Sequence, residues 1–146
     1  MFKYNILYKP SFQYNTKTID NIFKIISKIV KKEQNGVLNI VFLDDNSIQK
    51  LNKDYRNIDK TTDVLSFHYF DDFKNLKKDD LAGEIILSEN KIISQGKEYK
   101  LGTEKEFYKL IIHSILHILG YDHETDKDYK IMQNLENKVY KEVFEK

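Results

Sequence analysis

The 146-residue chain has no cysteine, no tryptophan, one proline (Pro10), one alanine (Ala82) and one arginine (Arg56). Without cysteine it can form no disulfide, no thiolate zinc site and no cysteine nucleophile, and a reducing compartment is compatible with that. No stretch approaches the roughly 18 apolar residues that a membrane span requires. The start, Met1-Phe2-Lys3-Tyr4-Asn5-Ile6, has one charge and no long apolar run. That is not a signal peptide, so an intracellular, cytoplasmic protein without membrane contact is expected. Charge of one sign is not in excess either, since 24 Lys and Arg oppose 23 Asp and Glu for a formal charge of +1. A strongly basic nucleic-acid binder is excluded by that balance, although a local basic patch is not. Twenty-three lysines, 18 isoleucines and a single arginine indicate a biased codon usage, against which a retained Arg56 stands out.

What is present fits a soluble globular domain, with 40% hydrophobic and 32% charged residues. The length predicts one domain spanning 1–146. A chain of this size buries roughly two-thirds of its unfolded surface, enough for a core without staples. Residues 2–8 alternate and read as a strand closed by Pro10. Apolar residues at 19, 22, 23, 26, 29 and 30 give a helix from about Thr16 to Lys32, ended by Asn35-Gly36. Its lysines, Lys17, Lys24, Lys28 and Lys31, share the opposite, solvated face. Val37–Leu43 reads as a buried strand ended by Asp44-Asp45-Asn46, and a short helix runs from Ser47 to about Tyr55. Asp63–Phe70 is expected as the third strand, Asp71–Asp80 as a mobile loop and Leu81–Leu87 as the fourth strand. Ser88 caps a helix to about Tyr99. Thr103 with Glu106 forms a capping box opening a helix to Leu119, apolar almost all round and hence central and buried. Gly120 supplies the left-handed residue that ends it, and a last helix covers about Asp126–Phe144. The expected architecture is α+β, helices packed on a small sheet.

Three of the four histidines fall within eleven residues, in His113-Ser-Ile-Leu-His117-Ile-Leu-Gly120-Tyr-Asp-His123. Positions four apart on a helix share a face, so His113 and His117 can reach one ion at about 2.0–2.1 Å. Gly120 turns the backbone and returns His123 as a third ligand, leaving a fourth position for water, the pattern of a catalytic zinc site. Other late first-row metals suit imidazole as well. The alternative, core or helix-end histidines with ordinary hydrogen bonds, suits one such residue better than three at this spacing. His68 stands apart and reads as a packed or surface histidine. Zinc peptidases of the H-E-x-x-H type carry a glutamate as general base where this chain has Ser114, so that chemistry loses its base. Phosphodiester cleavage instead needs charge stabilisation on phosphate oxygens, which a planar guanidinium binds two at a time. Arg56, in Leu51-Asn52-Lys53-Asp54-Tyr55-Arg56, is a candidate phosphate clamp, although from sequence alone a surface ion pair is the plainer reading. Lys50, Lys53, Arg56 and Lys60 form a candidate local basic track.

The histidine segment resembles the H-G-x-L-H-L-x-G-Y-D-H motif of the YbeY family, zinc-dependent endoribonucleases of rRNA maturation. A second block, Leu51-Asn52-x-x-Tyr55-Arg56-x-x-Asp59-x-x-Thr62-Asp63-Val64-Leu65-Ser66-Phe67, is similar to that family's other signature. So is Ala82-Gly83-Glu84-Ile85-Ile86-Leu87-Ser88 to its L-G-D-I-x-I-S strand. The resemblance runs from about Val37 onward. It implies an α+β sandwich with a four-stranded mixed sheet, and one zinc per chain on His113, His117 and His123. It further implies an Arg56 that is essential in the same cleft. The expected chemistry is a zinc-bound water as nucleophile with Arg56 on the scissile phosphate, and Lys53 and Lys60 beside it are candidate substrate contacts. The implied activity is cleavage of single-stranded RNA in rRNA maturation, notably at the small-subunit 3′ end, and in ribosome quality control. Small-subunit proteins and assembly GTPases are implied as partners. A binding factor of ribosome assembly with a purely structural zinc is the alternative from another class, and a zinc peptidase a further one. Ser114, Thr61 and His68 depart from the family's usual glycine, proline and proline, and the lost proline is expected to loosen the loop after Arg56.

Overall fold

The computed structural model, which describes residues 1–145, has four strands and five helices. Their order is β1 (Lys3–Leu7), α1 (Thr16–Ile29), β2 (Val37–Leu43), α2 (Asp45–Arg56), β3 (Val64–His68) and β4 (Leu81–Ser88), then α3 (Glu89–Glu98), α4 (Thr103–Ile118) and α5 (Asp126–Phe144). The strands form one mixed sheet in the order β1-β2-β4-β3. β1–β2 and β2–β4 pair in parallel, and β3 pairs antiparallel to β4. This is the expected α+β arrangement of helices on four strands.

The sequence patterns follow from that order. β2 and β4 are central and covered on both faces, so they read as continuous apolar runs rather than alternating ones. One sheet face sends Leu38, Ile40, Phe42, Ile85 and Leu87 into the main core with α1 and α4. The other sends Val41, Leu65 and Ile86 against Ile48 of α2. Helix α4 is buried nearly all round, through Phe107, Leu110, Ile111, Ile112, Ile115, Leu116 and Ile118. Burying such a side chain is worth about 1.5–3 kcal/mol each before entropy is counted, which makes α4 a stiff post for whatever its ends present.

Several local expectations are corrected. Helix α1 ends at Ile29, because Val30 takes an extended conformation and the Gln34 amide folds back onto its carbonyl at 3.1 Å. Asn35-Gly36 therefore opens β2 rather than closing α1, with Gly36 at φ +100° and its carbonyl accepting from Lys3 N–H. Helix α2 begins at Asp45, two residues early, since the Asp44 carboxylate caps it by accepting from Ser47 N–H at 2.7 Å. The expected capping box of α4 does not form. Gly102 occupies the cap position at φ +92°, Thr103 is already helical, and Glu106 is buried instead of reaching back. The cause is the tight α3–α4 corner, where a Cβ on Gly96 would lie 2.7 Å from the Gly102 carbonyl. The 71–80 segment is tied down rather than loose: Phe73 is buried edge-on to Phe2 at 5.1 Å, and Lys3 pairs with Asp79 at 2.9 Å. No helix among the described residues is long and apolar enough to cross a membrane.

Two features place a cleft. β3 is an edge strand, paired only with β4. Its hydrogen-bonded register, fixed by Ser88 N–H to the Asp63 carbonyl and Tyr69 N–H to the Ala82 carbonyl, turns the backbone groups of Val64, Ser66 and His68 to the open edge. The C-terminal half of α4 packs alongside that edge.

Candidate functional site

A cleft of about 710 Å³ lies between the last turn of α2, the 62–67 segment of β3, the end of α4 and the chain that follows it. Arg56, His113, His117 and His123 all line it, with Tyr55, Asp63, Asp122 and Glu124. Residues 67 positions apart in sequence thus meet in one place. Lys53 and Lys60 are exposed and stand outside the lining.

His113 and His117 project from one face of α4, half-buried, one turn apart. His113 Nδ1 lies 2.6 Å from Glu136 Oε1 of α5, and His117 Nδ1 lies 3.1 Å from the Tyr121 carbonyl. A carbonyl oxygen only accepts, so His117 carries its proton on Nδ1 and leaves the Nε2 lone pair to the cleft. An ionised Glu136 imposes the same arrangement on His113. The turn that supplies the Tyr121 carbonyl is a Schellman motif: Tyr121 N–H donates to the Leu116 carbonyl and Gly120 N–H to that of His117. Gly120 sits at φ +103°, as its place after the helix predicts. Burial holds the His117 imidazole below its ordinary pKa, as do the charges of His113, His68 and His123, while the Tyr121 carbonyl opposes them. His117 is therefore neutral at pH 7, the form that binds metals.

His123 is exposed on the segment after α4, and its ring stands edge-on to that of His113 with centroids 6.0 Å apart. Among the described residues no three His, Cys, Asp or Glu side chains stand in ligating geometry around a common point. The donor set nevertheless suits a late first-row cation. Two imidazoles have their outer nitrogens engaged and their inner ones free, the arrangement that orients histidine ligands in metal sites. The lining carboxylates Asp63, Asp122 and Glu124 add negative potential that a cation would offset.

Arg56 is the final residue of α2, exposed, and forms no ion pair among the described residues. The surface salt bridge anticipated for it is not made. Asn57 ends the helix in the left-handed conformation, and the loop that follows is braced rather than loosened. The buried Asn52 donates from Nδ2 to the Lys60 carbonyl at 2.9 Å, and Gln49 donates to Asp59 Oδ1 at 3.0 Å. Asp63 is fixed as well. Its Oδ1 accepts from Val64 N–H at 2.7 Å, and Gln95, with its amide nitrogen toward the carboxylates, bridges Asp63 Oδ2 and Glu106 Oε2. Burial raises the Glu106 carboxyl, and the Asp63 charge adds to that while Lys109 opposes it. Ser114 is fully buried outside the cleft, so nothing at that position can act as a base on substrate. His68 is exposed at the end of β3, as expected of a surface histidine.

Sequence reading missed Glu136, the Tyr121 carbonyl, Asp122 and Glu124. Only the last two had a signal, adjacency to His123. Glu136 is 23 residues from His113 and reaches it through the packing of α5 on α4.

Comparison with known proteins identifies the family. Residues 8–143 match the family model described as endoribonuclease YbeY. The endoribonuclease YbeY of Malacoplasma penetrans is 41% identical over 125 residues, covering 83% of this chain and 82% of that protein. That of Fusobacterium nucleatum is 36% identical over 141 residues, covering 94% and 85%. The solution structure of TM1509 from Thermotoga maritima superposes with a TM-score of 0.60 at 31% identity, over 97% of this chain and 89% of that one. With the family model spanning nearly the whole chain and these relatives 36% and 41% identical over most of it, the protein belongs to the YbeY endoribonuclease family.

Proposed function

We propose that this chain, a single domain over 1–146, is a cytoplasmic metal-dependent endoribonuclease that cleaves single-stranded rRNA precursors, notably at the small-subunit 3′ end. The observation that carries the reading is one cleft lined both by two histidines with free inner nitrogens and by the chain's sole arginine, itself without an ion pair. His113, His117 and His123 would hold one zinc. When bound, zinc supplies Lewis acidity for the attack of water on phosphorus. Glu136 holds the His113 Nδ1 proton and the Tyr121 carbonyl that of His117, so both rings are oriented before metal or substrate arrives. Arg56 offers a planar, two-point donor to the scissile phosphate, where charge grows in the transition state. Lys53 and Lys60, beyond the rim, hold the strand to either side. The lining carboxylates would repel RNA from a metal-free cleft, which makes binding and metal occupancy interdependent. Small-subunit proteins and assembly GTPases are the partners that the family resemblance suggests for this role.

End-mapping of ribosomal RNA precursors in cells lacking the protein tests the assignment. Unprocessed small-subunit 3′ ends, rescued by wild type but not by Arg56→Lys, are expected. Normal 3′ ends in the depleted cells would contradict it.

A further inference from the structure

Tyr55 is left over by this account. It is 69% exposed at the mouth of the cleft, and its hydroxyl makes no hydrogen bond among the described residues. The apolar cluster beneath α2 takes in Leu51 and Phe67 but not the Tyr55 ring. A single exposed aromatic is ordinary, but this one is held in place. Its ring packs T-shaped on Phe67 of β3, centroids 5.3 Å apart and planes at 70°. Phe67 lines the same cleft, and Arg56 follows Tyr55 directly in the last turn of α2. Consecutive helical residues point about 100° apart, so one can hold a phosphate while its neighbour flanks the same strand.

The geometry points to a nucleobase subsite: Tyr55, braced by Phe67, is a stacking platform for an unpaired base adjoining the phosphate held by Arg56. The inference rests on the endoribonuclease reading and deepens it, because the platform supplies a physical basis for choosing single strands. A base in a duplex is already stacked and turned inward, whereas a single-stranded base can splay onto an aromatic ring. Aromatic platforms accept any base, since every base has a π-face. The subsite therefore selects strandedness and not sequence. Because Phe67 fixes the ring, little rotamer freedom is lost when a base arrives.

The test uses a single-stranded RNA carrying one 2-aminopurine, mixed in a stopped-flow instrument with zinc-loaded protein so that binding is read before cleavage. Wild type is expected to change the fluorescence as the base stacks. Tyr55→Leu should abolish that change and weaken binding roughly 5- to 150-fold, the range that one base–aromatic stack supports. Tyr55→Phe should retain both, because the hydroxyl plays no part. In steady state Tyr55→Leu should raise KM, with kcat within about threefold of wild type. Circular dichroism of the variants confirms the fold. A Tyr55→Leu protein that binds and changes the fluorescence like wild type would overturn the subsite, and so would a wild type that leaves the fluorophore unchanged. The first of these is also the result expected if the aromatic pair docked a protein partner instead. A wild type that stacks the fluorophore but cleaves no RNA would support the subsite and sink the endoribonuclease reading, so the two failures are distinguishable.

Discussion

Removing the Glu136 carboxylate should loosen the metal centre without touching a ligand. Glu136 and His113 are 25% and 35% exposed at the side chain and 2.6 Å apart, so water replaces the lost contact only in part. In Glu136→Ala the His113 ring gains freedom about both side-chain torsions, and its Nδ1 proton loses the acceptor that fixed the tautomer. Partners of this kind contribute about 10- to 100-fold to metal affinity, which is about 1.4–2.8 kcal/mol at 1.4 kcal/mol per tenfold. Glu136→Gln keeps a carbonyl acceptor but loses the charge, so it should fall toward the tenfold end. Competition of metal-free protein with a chromophoric zinc chelator reads the affinity, and far-UV circular dichroism confirms that α5 still docks. Saturating zinc should restore occupancy and, with it, most of the cleavage rate. A folded Glu136→Ala protein whose zinc affinity stays within twofold of wild type would refute the orienting role.

Glu106 should oppose stability at neutral pH. Its pKa is raised by burial, so the folded state prefers the protonated acid, and ionisation above the raised pKa costs stability that returns as pH falls toward the ordinary value of 4.5. Glu106→Gln, which keeps an acceptor for Gln95, should therefore raise Tm at pH 8 and give no gain near pH 4. An equal shift at both pH values would contradict this origin. Gly83→Ala should be costly in another way. Its Cβ would land on the Phe67 carbonyl across the β3–β4 pair, and such overpacking typically costs about 1–3 kcal/mol. A urea midpoint unchanged from wild type would contradict the register of β3.

The elements were legible wherever a side-chain pattern met a single packing environment. Helix α4 was read correctly because its all-round apolar surface has no use except burial. The α1 face was read because its period matches one covered side. Errors fell at boundaries that depend on tertiary neighbours. Thr103 and Glu106 satisfy a capping-box pattern, but the close approach of Gly96 and Gly102 moved the cap back one residue and buried Glu106. The charged 71–80 segment looked free because its anchors, Phe2, Lys3 and Asn35, lie far back in sequence. Likewise, the histidines and Arg56 were legible as local motifs, and the cleft brings them together. The acceptors that orient the histidines could not be seen. One is a backbone carbonyl, and the other is a glutamate whose role exists only once α5 packs on α4.

The central claim is that metal and Arg56 act together on a phosphodiester. Its most direct test is the rate at which metal-stripped and zinc-reloaded protein cleaves single-stranded RNA, with Arg56→Lys measured in parallel at saturating zinc. Lysine keeps the charge but loses the planar fork. Cleavage should disappear on stripping and return on reloading. The Arg56→Lys protein should fold and bind zinc normally yet turn over about tenfold to a thousandfold more slowly, a loss of about 1.4–4 kcal/mol. Cleavage indifferent to metal, or an Arg56→Lys variant at the wild-type rate, would contradict it.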